Sequence, residues 1–166
     1  MPKSKKKSRG GVRSLFTFTI IFAVFFTLLG CSEPGKSCSE ELDVLLSGQP
    51  RPAGVIYLYG AEEGDESYLS PETACALYGE DADVLISLCA DYAIFLSELP
   101  NPFEAAVFRC YSASDCDRVA AALLARIDEI KIALRDTELA GAYDTAEVRI
   151  SGRVVTMRGG VQNISK

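Results

Sequence analysis

Residues 115–139 read DCDRVAAALLARIDEIKIALRDTEL. Val119, Leu123, Ile127, Ile130 and Leu134 recur at steps of three and four, the spacing that aligns side chains on one face of an α-helix. Arg126, Asp128, Glu129, Lys131 and Arg135 fall mostly elsewhere, as a solvated face requires. Ser114 and Asp117 have the spacing of a capping box, with Asp in the Glu place. The pattern predicts a helix from Asp115 to about Leu139, with Leu123 and Ile127 buried and Arg126 and Glu129 exposed. Such an apolar stripe needs a partner surface, because most helix stability in proteins comes from packing one face.

The flanking segments supply that partner. Glu147–Ile150 and Arg153–Met157 read as two strands joined at Ser151-Gly152, with Val148 and Ile150 on the same face as Val155 and Met157. Upstream, Glu104–Cys110 alternates Ala106 and Phe108 against Val107 and Arg109, a strand that follows the break Pro100-Asn101-Pro102. Asp81–Leu96 reads two ways: Val84, Leu85, Leu88, Cys89 and Tyr92 fit a helical face, whereas Tyr92–Leu96 also suits a strand. Ser70-Pro71-Glu72 is a helix start, with a capping hydroxyl, proline at the first position and an acid near the positive dipole end. Gly79 is placed to end that helix. Val55–Tyr59 is a β-branched and aromatic strand, and Glu40–Leu46 a short helix broken by Gly48–Pro52. The resulting fold class is α+β: a small, mostly antiparallel sheet with the long amphipathic helix packed on one face.

The N-terminal segment has a different logic. Met1–Arg13 carries Lys3, Lys5, Lys6, Lys7, Arg9 and Arg13 and no acid. Leu15–Leu29 then runs apolar and uncharged for 15 residues. As a helix it would reach only about 22 Å, short of the roughly 30 Å hydrocarbon core. That length suits the hydrophobic region of a secretory signal better than an uncleaved anchor. Leu28-Leu29-Gly30-Cys31 resembles the lipobox of bacterial lipoproteins, in which a small residue precedes a cysteine whose thiol is alkylated by diacylglycerol. The resemblance implies a signal peptide over residues 1–30 and lipidation at Cys31. A tether comes next over residues 31–39, then a single globular domain over residues 40–166. Dual acylation anchors stably, where one acyl chain is marginal.

Removing residues 1–30 takes away six basic residues and no acid, leaving 11 basic against 23 acidic residues and a net charge of −12. So acidic a surface argues against nucleic acid as a partner and against attraction to anionic lipid heads. The membrane is then reached through the lipid on Cys31.

From about Leu77 the chain also resembles an uncharacterised family of Gram-positive bacterial lipoproteins, a domain of unknown function. The residues that carry the likeness are Leu77-Tyr78-Gly79, Asp91-Tyr92-Ala93-Ile94-Phe95 and Glu104-Ala105-Ala106-Val107-Phe108-Arg109, then the helix and the closing hairpin. The likeness implies the same location and fold. It brings no activity, cofactor or catalytic residue.

The chain has no histidine, which removes Ser-His-Asp and Cys-His catalysis and the usual zinc sites. Beyond Cys31 there are five cysteines with no Cys-x-x-Cys: Cys38, Cys75, Cys89, Cys110 and Cys116. Cys75 and Cys89 sit on apolar faces and read as small core residues. Cys110 and Cys116 flank a strand-to-helix turn and could form a disulfide outside the cell. Glu62, Glu63, Asp65 and Glu66 crowd one loop without the ligand order of an EF-hand. Glu80, Asp81 and Asp83 read as a solvated helix start, and Glu104, which leads a strand, as a structural carboxylate, for example one bonded to turn amides.

The sequence therefore predicts a non-enzymatic lipoprotein on the extracytoplasmic face of the cell membrane, an interaction or accessory module with an envelope protein as possible partner. It predicts no catalytic residue, cofactor or metal. A small-ligand or cation-binding module is the alternative, motivated by the acidic loops and tyrosines. Calorimetry on residues 32–166 is expected to show only weak, salt-screened attraction of Ca²⁺ to Glu62–Glu66. A saturable 1:1 isotherm tighter than about 10⁻⁴ M, lost in Glu63→Gln, Asp65→Asn, would promote the cation-binding alternative.

Overall fold

The computed structural model describes residues 35–47, 52–98 and 102–160. The chain divides into Met1–Gly35 and Lys36–Lys166, and every described helix and strand belongs to the second unit. Residues 1–30, read from the sequence as a signal peptide, Cys31 and the sequence breaks at residues 48–51 and 100–101 lie outside the described residues. Among the described residues no helix is long and apolar enough to cross a membrane.

The element order is α1 (Cys38–Leu46), β1 (Gly54–Leu58), α2 (Pro71–Tyr78), α3 (Ala82–Ser87), β2 (Cys89–Ser97), β3 (Phe103–Cys110), α4 (Ala113–Leu134), β4 (Glu147–Ser151) and β5 (Val154–Gly160). The five strands form one antiparallel sheet in the order β1-β2-β3-β5-β4. This is the α+β architecture that the periodicity predicts, with the long helix on one face.

The centre of the sheet is β3, and its period-2 alternation feeds two cores. Ala106, Phe108 and Cys110 join Tyr92, Ile94, Val155 and Met157 beneath Val119, Leu123 and Ile127 of α4. Phe103, Ala105 and Val107 join Ala93 and Phe95 on the opposite face, under Cys38, Leu42 and Leu46 of α1. The second face is thus covered by a helix and not left to solvent.

Local chemistry explains where elements begin and end. The long helix starts two residues earlier than Ser114–Asp117 suggests: Ser112 is the N-cap, and its backbone N–H donates to Asp115 in a reciprocal capping box. It stops at Leu134, short of Leu139, because the Thr137 hydroxyl takes the Leu134 carbonyl and the chain continues as successive turns. Asp81–Leu96 resolves into both of its readings in series, α3 and then β2. Ser70, Pro71 and Gly79 delimit α2 as expected. The closing hairpin pairs Ser151 with Val154, so its two-residue loop is Gly152-Arg153, one step past Ser151-Gly152. Gly152 has φ +60°, a positive angle at the first loop position that glycine takes without penalty. That shift preserves parity, so Val148 and Ile150 stay on the face of Val155 and Met157, with Val148 now opposite Met157 and Ile150 opposite Val155.

The first helix also begins early, at Cys38. Ser37 caps it in a full capping box with Glu40. The Cys38 N–H donates to Asp91 at 2.8 Å, and Arg109 reaches both Glu41, at 3.0 Å, and the Lys36 carbonyl. Residues 36–39, read from sequence as tether, belong to the folded unit.

Leu123 is fully buried under the sheet, whereas its neighbour Leu124 is 52% exposed. Leu123→Ala is expected to cost about 2–5 kcal/mol and Leu124→Ala less than about 0.5 kcal/mol. Chemical denaturation of the two variants reads the difference, and equal costs would mean that the helix face is misassigned.

Candidate functional site

Among the described residues Glu104 is the one buried charged side chain, 2% exposed. Alternation along β3 turns it onto the α4 face, one step before Ala106 and Phe108. There Arg126 meets it from the helix, Nε donating to Oε2 at 3.3 Å. This corrects two expectations. Glu104 does not bond turn amides, because as part of a central strand it projects into the sheet–helix layer. Arg126 is half-buried and not exposed, because the helix turn that carries it lies over that carboxylate.

The other carboxylate oxygen, Oε1, is buried and takes no hydrogen bond from the described residues; nor does the hydroxyl of Tyr78. Tyr78, at the end of α2, packs edge-on against Phe108, and Tyr143 is buried nearby. The charge on Glu104 helps to hold both phenols protonated, after burial itself, which is the larger cause. Burial also pushes the Glu104 carboxyl above its ordinary 4.5, while the Arg126 guanidinium pulls it back. The group is thus an incompletely satisfied ion pair in a low-dielectric layer, where an unmet acceptor favours proton uptake.

A cleft of about 340 Å³ opens beside the pair. Its walls include Leu96, Phe103, Ile130, Leu134 and Tyr143, and Glu104 and Arg126 are its charged lining. Apolar walls with a few polar groups are what small-molecule sites commonly offer. A second cleft, about 580 Å³, lies between α2, α3 and the loop before α2. Tyr68, Leu69, Ile86 and Tyr92 line it, with Glu80 and Asp83 at its edge. One carboxylate without a second beside it does not make the paired-acid arrangement of hydrolytic chemistry.

The remaining sequence candidates separate. In the acidic loop, Asp65 folds back to accept the Glu62 N–H at 3.1 Å, so one of the four acids serves the turn itself. Among the described residues no group of three or more acids or cysteines is arranged to hold a metal ion. Glu80, Asp81 and Asp83 are exposed, and Asp83 accepts the Val84 N–H at 2.7 Å. Cys75 is exposed and not a core residue, since Ala74 and Leu77 take the inward face of α2 and position 75 is turned away from it. Cys89 is buried as expected, and with Cys110 and Cys116 it forms a group of free thiols. Nothing in the local sequence around Tyr78 or Tyr143 marks them as lying within the field of Glu104; that proximity exists only through the tertiary fold.

No family model matches the chain, and neither the curated proteins nor the solved structures contain a significant match.

The raised Glu104 carboxyl has a consequence for stability. The folded form holds this proton more tightly than the unfolded chain, so stability falls as pH rises from the ordinary 4.5 through the folded value. Glu104→Gln removes that dependence. Thermal unfolding across this range should show the wild type losing ground to Glu104→Gln with rising pH. A pH-independent difference would mean that the carboxylate is as acidic folded as unfolded.

Proposed function

We propose that the protein is a lipid-anchored lipoprotein of the extracytoplasmic membrane face, acting as a non-enzymatic interaction or accessory module. The observation that carries this reading is where the folded unit starts. Residues from Lys36 onward are held by the Ser37 cap, Asp91 and Arg109. Lys36 lies only five residues beyond Cys31, a reach of at most about 18 Å. A unit bound so near its own lipid would work at the membrane surface. An acidic domain held there would be repelled by anionic heads and would face outward toward its partners. The absence of histidine and the commitment of Glu104 to Arg126 support a non-catalytic role.

A second reading, a small-ligand module, is favoured by the cleft beside Glu104 and Arg126. A ligand placing a hydrogen-bond donor toward Oε1 would satisfy an acceptor the fold leaves open.

The primary reading is tested at Cys31. Labelling cells with a fatty-acid probe should tag the wild-type chain, and Cys31→Ser should accumulate as untagged, uncut precursor. Continued tagging of Cys31→Ser would overturn it.

A further inference from the structure

Three thiols meet where β2, β3 and α4 converge. Cys89 and Cys110 are direct register partners across the β2–β3 ladder. The Tyr111 N–H donates to the Leu88 carbonyl at 3.0 Å, while the Cys110 N–H turns away to the carbonyl of Arg153 in the hairpin loop before β5. That pattern makes Cys89 and Cys110 a non-hydrogen-bonded pair, the kind whose side chains lie closest, with Cα atoms about 4.5 Å apart. Cys116, in the first turns of α4, enters from above. Its Sγ lies 3.5 Å from the Ser112 carbonyl and 3.9 Å from the Gly152 carbonyl in the hairpin loop. Cys110 is central: it is the ladder partner of Cys89 and stands six residues before Cys116 across the turn into α4, and all three belong to one core cluster. All three are no more than 2% exposed.

We propose that this cluster is a disulfide site with Cys110 as the shared partner: Cys110–Cys116 is the resting bond, and Cys89 is the thiol that can exchange into it. The choice of resting bond comes from geometry. A Cys89–Cys110 bridge would span a non-hydrogen-bonded ladder pair, whose ideal Cα spacing of about 4.5 Å is close to the lower limit of about 4.4 Å for disulfides, and bonds at the edge of that range are strained and more reducible. Cys116 is not confined by the ladder. Oxidation in the cell rests on the extracytoplasmic location proposed above; the chemistry of the cluster does not.

The reaction balances as thiol–disulfide exchange with an external disulfide, such as oxidised glutathione. Cys110 and Cys116 give up two protons and two electrons and form one S–S bond, and the external disulfide is cleaved to two thiols. In the internal step the Cys89 thiolate attacks Cys110 Sγ, the Cys89–Cys110 bond forms, and Cys116 leaves as thiolate and takes a proton. Burial pushes the Cys89 thiol up to about 12, so little thiolate exists in the closed fold and exchange is slow.

The test uses the reduced full chain in detergent, equilibrated with reduced and oxidised glutathione, quenched in acid, alkylated and digested with trypsin. Cleavage after Lys36, Arg109 and Arg118 places Cys110 and Cys116 in one peptide and Cys89 in another, residues 37–109, where fragment sequencing distinguishes it from Cys38 and Cys75. The expected wild-type product is peptide 110–118 lighter by two hydrogens and unalkylated, with Cys89 alkylated. In Cys116→Ser, peptide 110–118 should instead be cross-linked through Cys89. Cys110→Ala should leave Cys89 and Cys116 both alkylated. Three alkylated thiols in the oxidised wild type, or a Cys89–Cys116 bond, would overturn the proposal. The same mapping on chain extracted from native membranes separates the two readings. A chain that oxidises in vitro, yet leaves the cell reduced and untagged at Cys31, keeps the site and removes the location. A tagged chain whose thiols all stay alkylated in vitro removes the site.

Discussion

Strand β3 must be dry on both of its faces, and most of the structure is a response to that requirement. A central strand between two cores needs a helix on each side. The chain supplies α4 for one and α1 for the other. Burial of Phe108, Ala106 and Cys110 against α4 and of Phe103, Ala105 and Val107 against α1 accounts for the order of the layers. It also fixes register, since a one-residue slip would exchange the two sets of side chains. Charged residues tolerated on β3 are those with a partner from the covering helix: Glu104 with Arg126 of α4, Arg109 with Glu41 of α1. Each face thus has one ion pair between strand and helix, one deep and one nearer to solvent.

The two pairs differ in consequence. Glu41 and Arg109 are each about a quarter exposed, where solvent screens the attraction and such pairs contribute little to stability. Glu104 is 3% exposed at its side chain. Burial of that kind is costly unless every lone pair is met, and its Oε1 has no partner among the described residues. The layer therefore holds a polar defect beside a cleft, which is the reason this region, and not the acidic loop, is the chemically distinctive part of the domain.

The sequence made the fold class legible through periodicity, because Val119, Leu123 and Ile127 and the strand alternation of Glu104–Cys110 each encode a face directly. Boundaries were less legible. Ser112 and Ser114 both have an aspartate three residues on, and only the local turn after β3 decides which caps. Asp81–Leu96 was ambiguous because its two readings are both present, one after the other. The candidate site was barely legible. Glu104 stood out as an acid leading a strand, but its partner is 22 residues away on a different element. Arg126 has the spacing of a surface residue, and nothing local distinguishes it from Lys131. The convergence of Cys89 with Cys110 and Cys116 likewise depends on strand pairing, which single-sequence patterns do not specify.

The fastening of α1 defines a path for mechanical load. A pull on the chain from its N-terminal side enters at Lys36, where Arg109 holds the backbone carbonyl, and next meets the Asp91 bond at Cys38. The fasteners belong to the interior strands β3 and β2, so tension is delivered inside the sheet and not to an edge. The helix beyond them is held by Cys38, Leu42 and Leu46, one contact per turn, and would peel turn by turn. The ladder of β2, β3 and β5 need not be sheared until that helix has gone. Under tension from that side α1 is the first element loaded, and its loss would uncover Phe95, Phe103 and Val107 on one face of the sheet while the core beneath α4 stays closed.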